Sequence, residues 1–269
     1  MKPIKEQIDE LCRMGYRDDA ARAKVAHDIV LLGMHRCGFK PFSTIKGGVV
    51  MSSLTDDIRR ATMDMDIDFI RYSIGAASVE RFVRRIARAM DEVEIKIIGT
   101  PIDLKHADYR GRRIYLSIKD GSIARAIRTK VDIGVHANEA LAQMDFSFRN
   151  NSGAGSADLQ ANSPEQIFAE KLLSLLRHGA SSNRPKDIFD MYYLADKVKR
   201  RLLKEYVSMM VYSNPGCRVN DHEEMMRLVR LIFGFKSYAA KLTRSRANWL
   251  QLPADKVIDS LERFLEGLS

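Results

Sequence analysis

Seven residues, Asp64-Met65-Asp66-Ile67-Asp68-Phe69-Ile70, constrain this chain more than any other stretch. Acid and apolar side chains alternate strictly, and a period of two belongs to a strand, not a helix. On such a strand Asp64, Asp66 and Asp68 share one face, while Met65, Ile67 and Phe69 turn to a core. Carboxylates about 6–7 Å apart along one face repel each other unless positive charge sits among them. Hard, oxygen-preferring cations such as Mg²⁺ suit these donors. A solvated amphipathic strand is an alternative reading. So is a phosphatase with an aspartyl nucleophile, although Ile58 to Met63 ahead of the motif is mostly polar. A calcium loop fails, because Phe69 stands at its glycine position and Gly75 at its bidentate-Glu position.

Composition narrows the classes around this strand. The 269 residues are 45% apolar and 29% charged, which predicts one or two globular domains and excludes disordered or collagen-like chains. No apolar run is long enough to span a bilayer, and the acidic start MKPIKEQIDELC is unlike a secretory signal. Three distant cysteines without a CxxC predict free thiols and a cytoplasmic location. The net charge of +9 hints at a polyanionic partner but specifies no site.

Along the chain, helical spacing predicts helices over about residues 3–14 and 18–37, the latter with Val25, Ile29, Leu32 and His35 in register. An extended piece, Phe42 to Ile45, leads through Lys46-Gly47-Gly48 into a short helix over 49–54. A helix over 78–93 carries the stripe Val79, Phe82, Val83, Ile86 and Met90. Strand-like runs follow at 94–98, 102–107, 112–118 and 127–136. The stretch 150–156 is the most linker-like, and almost everything beyond Ser163 reads as helix. The expected organisation is an α+β chain, with a mixed α/β domain over 1–150 and a helical domain over 151–269.

Three further features bear on chemistry. Glycines at a strand-to-helix turn, as in Lys46-Gly47-Gly48, let backbone N–H groups approach a phosphate. In Arg128-Thr129-Lys130-Val131-Asp132-Ile133-Gly134, alternation puts Lys130, Asp132 and Gly134 on the polar face, so Asp132 could join Asp64 and Asp66 at a metal. Ser163-Pro164-Glu165-Gln166 opens a capped helix on which Lys171 falls inside the apolar arc of Ile167, Phe168, Leu172, Leu175 and Leu176. A lysine there must snorkel or meet an anion. The helix opened by Arg184-Pro185 is apolar on nearly all sides. Its Asp187 and Asp190 therefore need partners, and Lys171 is an obvious one.

In order along the chain stand Lys46-Gly47-Gly48, Arg60-Ala61-Thr62-Met63-Asp64-Met65-Asp66, Lys130-Val131-Asp132-Ile133, Ser163 to Leu172, and Arg184 to Asp190. Together they resemble the AbiEii/AbiGii toxin family of nucleotidyltransferases, over about residues 40–195. The resemblance implies a polymerase-β-like nucleotidyltransferase core with a mixed sheet, followed by a helical domain that contributes Lys171 and Asp187. It implies that Lys46, Gly47, Gly48 and Lys171 bind a nucleoside triphosphate, and that Asp64 and Asp66, with Asp132, hold Mg²⁺ or Mn²⁺. Asp64, Asp66, Lys171 and Asp187 become the catalytic set, supported by Arg60, Thr62 and Asp190. Departures are the 15-residue gap between Gly48 and Asp64, the Val at position 49, and the extra Asp68.

The resemblance further implies a toxin that transfers a nucleotide to an acceptor hydroxyl, with RNA (tRNA acceptor ends) as the expected acceptor. A cognate antitoxin encoded nearby is the expected partner, and no membrane is involved. Residues 225–254 carry Arg227, Arg230, Lys236, Lys241, Arg244 and Arg246 with no acid, and Tyr238 and Trp249 are expected to stack on bases. Transfer to a protein or small-molecule hydroxyl, or a silent nucleotide-binding module, are the alternatives.

Overall fold

The acid–apolar alternation forms the middle of a seven-stranded mixed sheet in a computed structural model, which describes residues 1–105, 110–136 and 138–269. Its strands are β1 (Ser43–Lys46), β2 (Asp64–Phe69), β3 (Glu94–Lys105), β4 (Arg110–Lys119), β5 (Ile127–Val135), β6 (Gln143–Phe148) and β7 (Ala157–Asn162). They lie in the order β3-β4-β5-β2-β1-β7-β6. β2 runs parallel to β5 and β1 parallel to β7, and the other pairings are antiparallel. Met65, Ile67 and Phe69 are fully buried, as the period of two requires.

Helices α1 (Ile4–Arg13), α2 (Asp18–Arg36), α3 (Gly47–Thr55) and α4 (Ala76–Ala89) complete this part of the chain. α2 packs against β5, β7, α1 and α4 at once. It is therefore buried on most of its circumference rather than along the single expected stripe, and His35 at its end is exposed. Val79, Phe82, Val83 and Ile86 of α4 are buried as expected. The Phe82 ring lies 4.7 Å from that of Phe39 and 5.1 Å from that of Phe69, in the edge-on and tilted contacts aromatic rings favour.

The described chain divides into two units, Met1–Asn162 and Ser163–Ser269. The expected division at residue 150 falls in the turn between β6 and β7, two strands that the sequence reading did not include. This turn is ordered by its own polar groups: Asn150 Oδ1 accepts from Ser152 N at 3.1 Å, and Ser152 O accepts from Lys2 N at 2.7 Å. The runs expected at 94–98 and 102–107 form one strand, β3, with a register shift between Ile98 and Ile102. Positions 106–107 of that expectation lie outside the described residues. The second unit is helical: α5 (Pro164–His178), α6 (Pro185–Ala195), α7 (Arg200–Val207), α8 (His222–Gly234), α9 (Lys236–Thr243) and α10 (Ala254–Glu266). Ser163 Oγ caps α5 by accepting from Gln166 N at 3.2 Å, and Pro164 occupies its first turn. Among the described residues no helix is long and apolar enough to cross a membrane.

The aromatic contact that ties α4 to β2 should carry much of the first unit's stability. Phe82→Ala is expected to lower unfolding free energy by about 3–5 kcal/mol in urea titrations. A loss under about 1 kcal/mol would show that the ring is not structural.

Candidate active site

Four adjacent strands bring charged residues into one row. Lys46 of β1 faces Asp66 of β2, Asp66 faces Asp132 of β5, and Asp132 faces Arg113 of β4. Directly paired residues share a sheet face, so the row reads cation, acid, acid, cation. One pleat away Asp64 faces Lys130, and their side chains meet at 2.7 Å. Arg113 clasps Asp132 with both ends of its guanidinium, at 2.7 and 2.8 Å, and this bond raises the arginine's pKa. Asp68, expected as an extra acid without a role, is buried and pairs with Lys46 at 2.8 Å. Lys46, expected at the nucleotide, is thus held at the same carboxylate row.

The strand-to-helix turn closes directly on this row. Gly47 has φ +64°, a left-handed conformation that glycine adopts without strain. A Cβ on Gly47 would lie 2.6 Å from Asp66 Oδ2, and one on Gly48 would lie 2.3 Å from Thr62 Oγ1. The glycine pair, Thr62 and Asp66 are therefore brought together: a side chain at Gly47 would displace the carboxylate, and one at Gly48 would displace Thr62. Arg60, three residues before Met63, is buried with only 2% of its surface exposed.

Behind the row, α2 supplies a polar cluster that sequence reasoning missed. Lys24 Nζ reaches the buried Asp28 at 2.7 Å. Burial pushes the Asp28 carboxyl above its usual range, and Lys24 opposes that shift. His27 is buried, and burial pushes its imidazole down to about 4. Lys24 pushes it the same way, while the Asp64 carboxylate and a hydrogen bond to the Met63 backbone act against the shift. Its place next to Met63 and Asp64 ties His27 to the acidic strand, and spacing along α2 does not reveal that.

Lys171, Asp187 and Asp190 also come together, within the second unit. Lys171 Nζ is 2.6 Å from Asp187 and 2.9 Å from Asp190, and all three residues are buried. Arg184 reaches the other oxygen of Asp187 at 2.9 Å. Trp249 Nε1 donates to Asp190 Oδ1 at 3.0 Å. That bond overturns the expectation for the basic stretch: Trp249 and Tyr238 are both buried and cannot stack on bases. Arg230 meets Glu262 and Glu266, and Arg227 meets Glu224 at 3.6 Å, all acids outside the 225–254 window. Lys241 donates to the Ser182 carbonyl.

The row offers hard oxygen donors on facing strands, which fits a divalent cation in kind and in placement along the strands. Among the described residues, however, no three acid, histidine or cysteine side chains converge on one point. Asp64 is turned to Lys130 and Asp132 to Arg113, so side-chain cations supply the balancing charge.

Residues 31–213 match the family described as the nucleotidyl transferase AbiEii toxin of a type IV toxin–antitoxin system. The chain belongs to this family. As an AbiEii-family member it is a nucleotidyltransferase. A protein of H. pylori assigned as a nucleotidyltransferase shares the fold, with a TM-score of 0.54 at 12% identity over 91% of this chain and 94% of that one. A second Helicobacter pylori protein aligns at 14% identity and TM-score 0.46, covering 94% of this chain and 98% of its own. An antigenic nucleotidyltransferase-like protein from Paracoccidioides brasiliensis aligns at 11% identity and TM-score 0.45, covering 81% and 93%. No curated protein matches the sequence.

Two measurements check this electrostatic arrangement. Lys171→Met leaves two buried carboxylates without their ammonium and should cost about 3–5 kcal/mol in denaturant titrations; an unchanged midpoint would remove the cluster from the structural account. His27 has a folded pKa of about 4 against an ordinary 6.5. Its contribution to stability is thus complete above pH 6.5 and is lost as pH falls toward 4, by up to about 3 kcal/mol. His27→Gln should flatten the stability–pH curve in that window, and parallel curves for the two proteins would contradict the assignment.

Proposed function

We propose that this AbiEii-family enzyme transfers a nucleoside monophosphate from a nucleoside triphosphate to a hydroxyl of RNA, with tRNA acceptor ends as the expected substrate. The observation that carries the reading is the contact between the Gly47-Gly48 turn and Asp66, beside the facing carboxylate of Asp132. A phosphate seat and a set of hard oxygen donors then adjoin each other. Backbone N–H groups at the start of α3 would bind the triphosphate, since a helix N-terminus over a glycine turn favours anions. Asp64, Asp66 and Asp132 would hold Mg²⁺ or Mn²⁺. When bound, the ion stabilises charge on the phosphoryl oxygens and makes the acceptor hydroxyl more acidic.

In the reaction the acceptor oxygen bonds to the α-phosphorus and the bond to the β-phosphate oxygen breaks. Pyrophosphate leaves, and the hydroxyl proton is released to water. Lys46, Lys130 and Arg113 hold the carboxylates, which keeps the like-charged row from splaying apart. Lys171 and Asp187 enter this reading as a buried ammonium–carboxylate pair, in which Lys171 could exchange one carboxylate for a phosphate. The family's place in a type IV toxin–antitoxin system supports a cognate antitoxin encoded nearby and a cytoplasmic site of action.

Incubation with each α-labelled triphosphate, Mg²⁺ and total RNA tests the reading. Labelled RNA is expected with one triphosphate, and Asp66→Asn should lower the rate by at least about 1,000-fold, a loss of about 4 kcal/mol in transition-state stabilisation. Label on protein or on a small molecule would replace RNA as the acceptor. Unchanged transfer by Asp66→Asn would remove the carboxylate row from the chemistry.

A further inference from the structure

A groove of about 800 Å³ opens in the first unit between α1, the start of α2, Met63 and residues 122–128. Two features place it against the carboxylate row. Met63 immediately precedes Asp64 and is 50% exposed in the groove wall. Arg128 lines the groove and shares a face of β5 with Lys130, two residues on, whose ammonium holds Asp64. The groove therefore reaches the row from the β5 side of β2. The glycine turn meets the row from the opposite side, where β1 pairs with β2.

That opposition matters for the chemistry. In phosphoryl transfer the incoming and departing oxygens lie roughly in line, on opposite sides of the phosphorus. With the triphosphate seated at Gly47-Gly48, pyrophosphate departs on the β1 side, and the acceptor hydroxyl must enter from the β5 side. The groove is on that side.

Its charge fits a phosphodiester chain. The three acids on its walls are each neutralised: Asp9 by Lys5 at 2.8 Å, Asp18 by Arg22 at 2.7 Å and Asp19 by Arg17 at 2.8 Å. Arg125 and Arg128 remain, exposed and with no carboxylate partner among the described residues. The Arg128 guanidinium lies 4.4 Å over the Tyr115 ring, a stacked pose that also suits a nucleobase or a phosphate. Met63 adds an apolar surface next to Asp64.

We propose that this groove seats the acceptor, as the last nucleotides of a single-stranded RNA 3′ end, with Arg125 and Arg128 on its phosphates. The inference rests on the RNA-transfer reading above. Kinetics of the full-length enzyme with a short 3′-hydroxyl oligoribonucleotide test it. Arg125→Ala/Arg128→Ala should raise KM for the oligoribonucleotide at least tenfold while leaving KM for the triphosphate within twofold. The dependence of log kcat/KM on log salt should become shallower by about 1.4, from two phosphate contacts at about 0.7 each on single strands. Arg125→Lys/Arg128→Lys should restore most of that slope, which repair of packing alone would not do. Unchanged acceptor KM and salt slope, with wild-type enzyme still labelling RNA, would overturn the groove assignment alone. An equal rise in triphosphate KM would overturn it too, because the arginines would then serve the nucleotide. Wild-type enzyme that binds a triphosphate yet labels no RNA would overturn both the reading and the groove.

Discussion

Electrostatic balance across four neighbouring strands is the constraint on which the first unit depends. Asp66 and Asp132 face each other at strand spacing, and Asp64 stands one pleat away. Packed this closely, like charges favour separation of β2 from β5. The sheet answers with cations at both ends of the row, Lys46 and Arg113, and with Lys130 against Asp64. The central parallel pairing can then persist with its like charges balanced. A strand that would be unstable by itself is held by the side chains of its neighbours.

The second unit solves a related problem in another way. Lys171 is buried, so its charge is matched by two carboxylates, one of which also accepts from Trp249. Such an assembly adds little net stability relative to an apolar core, but losing one member leaves a buried charge exposed to no solvent. Four parts of the helical unit, α5, the α6 entry, α6 itself and the segment after α9, are thereby fixed against each other.

Much of this was legible in the sequence because periodicity reports directly on faces. The alternation in β2 placed its acids and its core residues, and the wheel of α5 singled out Lys171. Local composition could not reveal partners that are distant in sequence. The partner of Asp132 is Arg113, and the cation at Asp68 is Lys46; both depend on strand order, which no local pattern encodes. Strand β7 was missed because Ala157, Ala161 and Asn162 have little strand preference and are buried through elements distant in sequence, β1 and α2. The basic stretch misled for a similar reason. Counting charges within 225–254 left out Glu262 and Glu266, which fold back onto Arg230.

The contact between the Gly47 turn and Asp66 has one more consequence, for the length of chain between them. Sterics set the distance from the glycine turn to the carboxylate, because the turn rests on the carboxylate itself. Of the 15 residues between Gly48 and Asp64, Val49, Val50, Met51 and Arg60 are buried and Thr62 lies against Gly48. Only the more exposed turn between α3 and Arg60 can thus grow or shrink without moving the two ends apart. Within such a fold, loop length here is free to drift while the turn and the aspartate keep a common ruler.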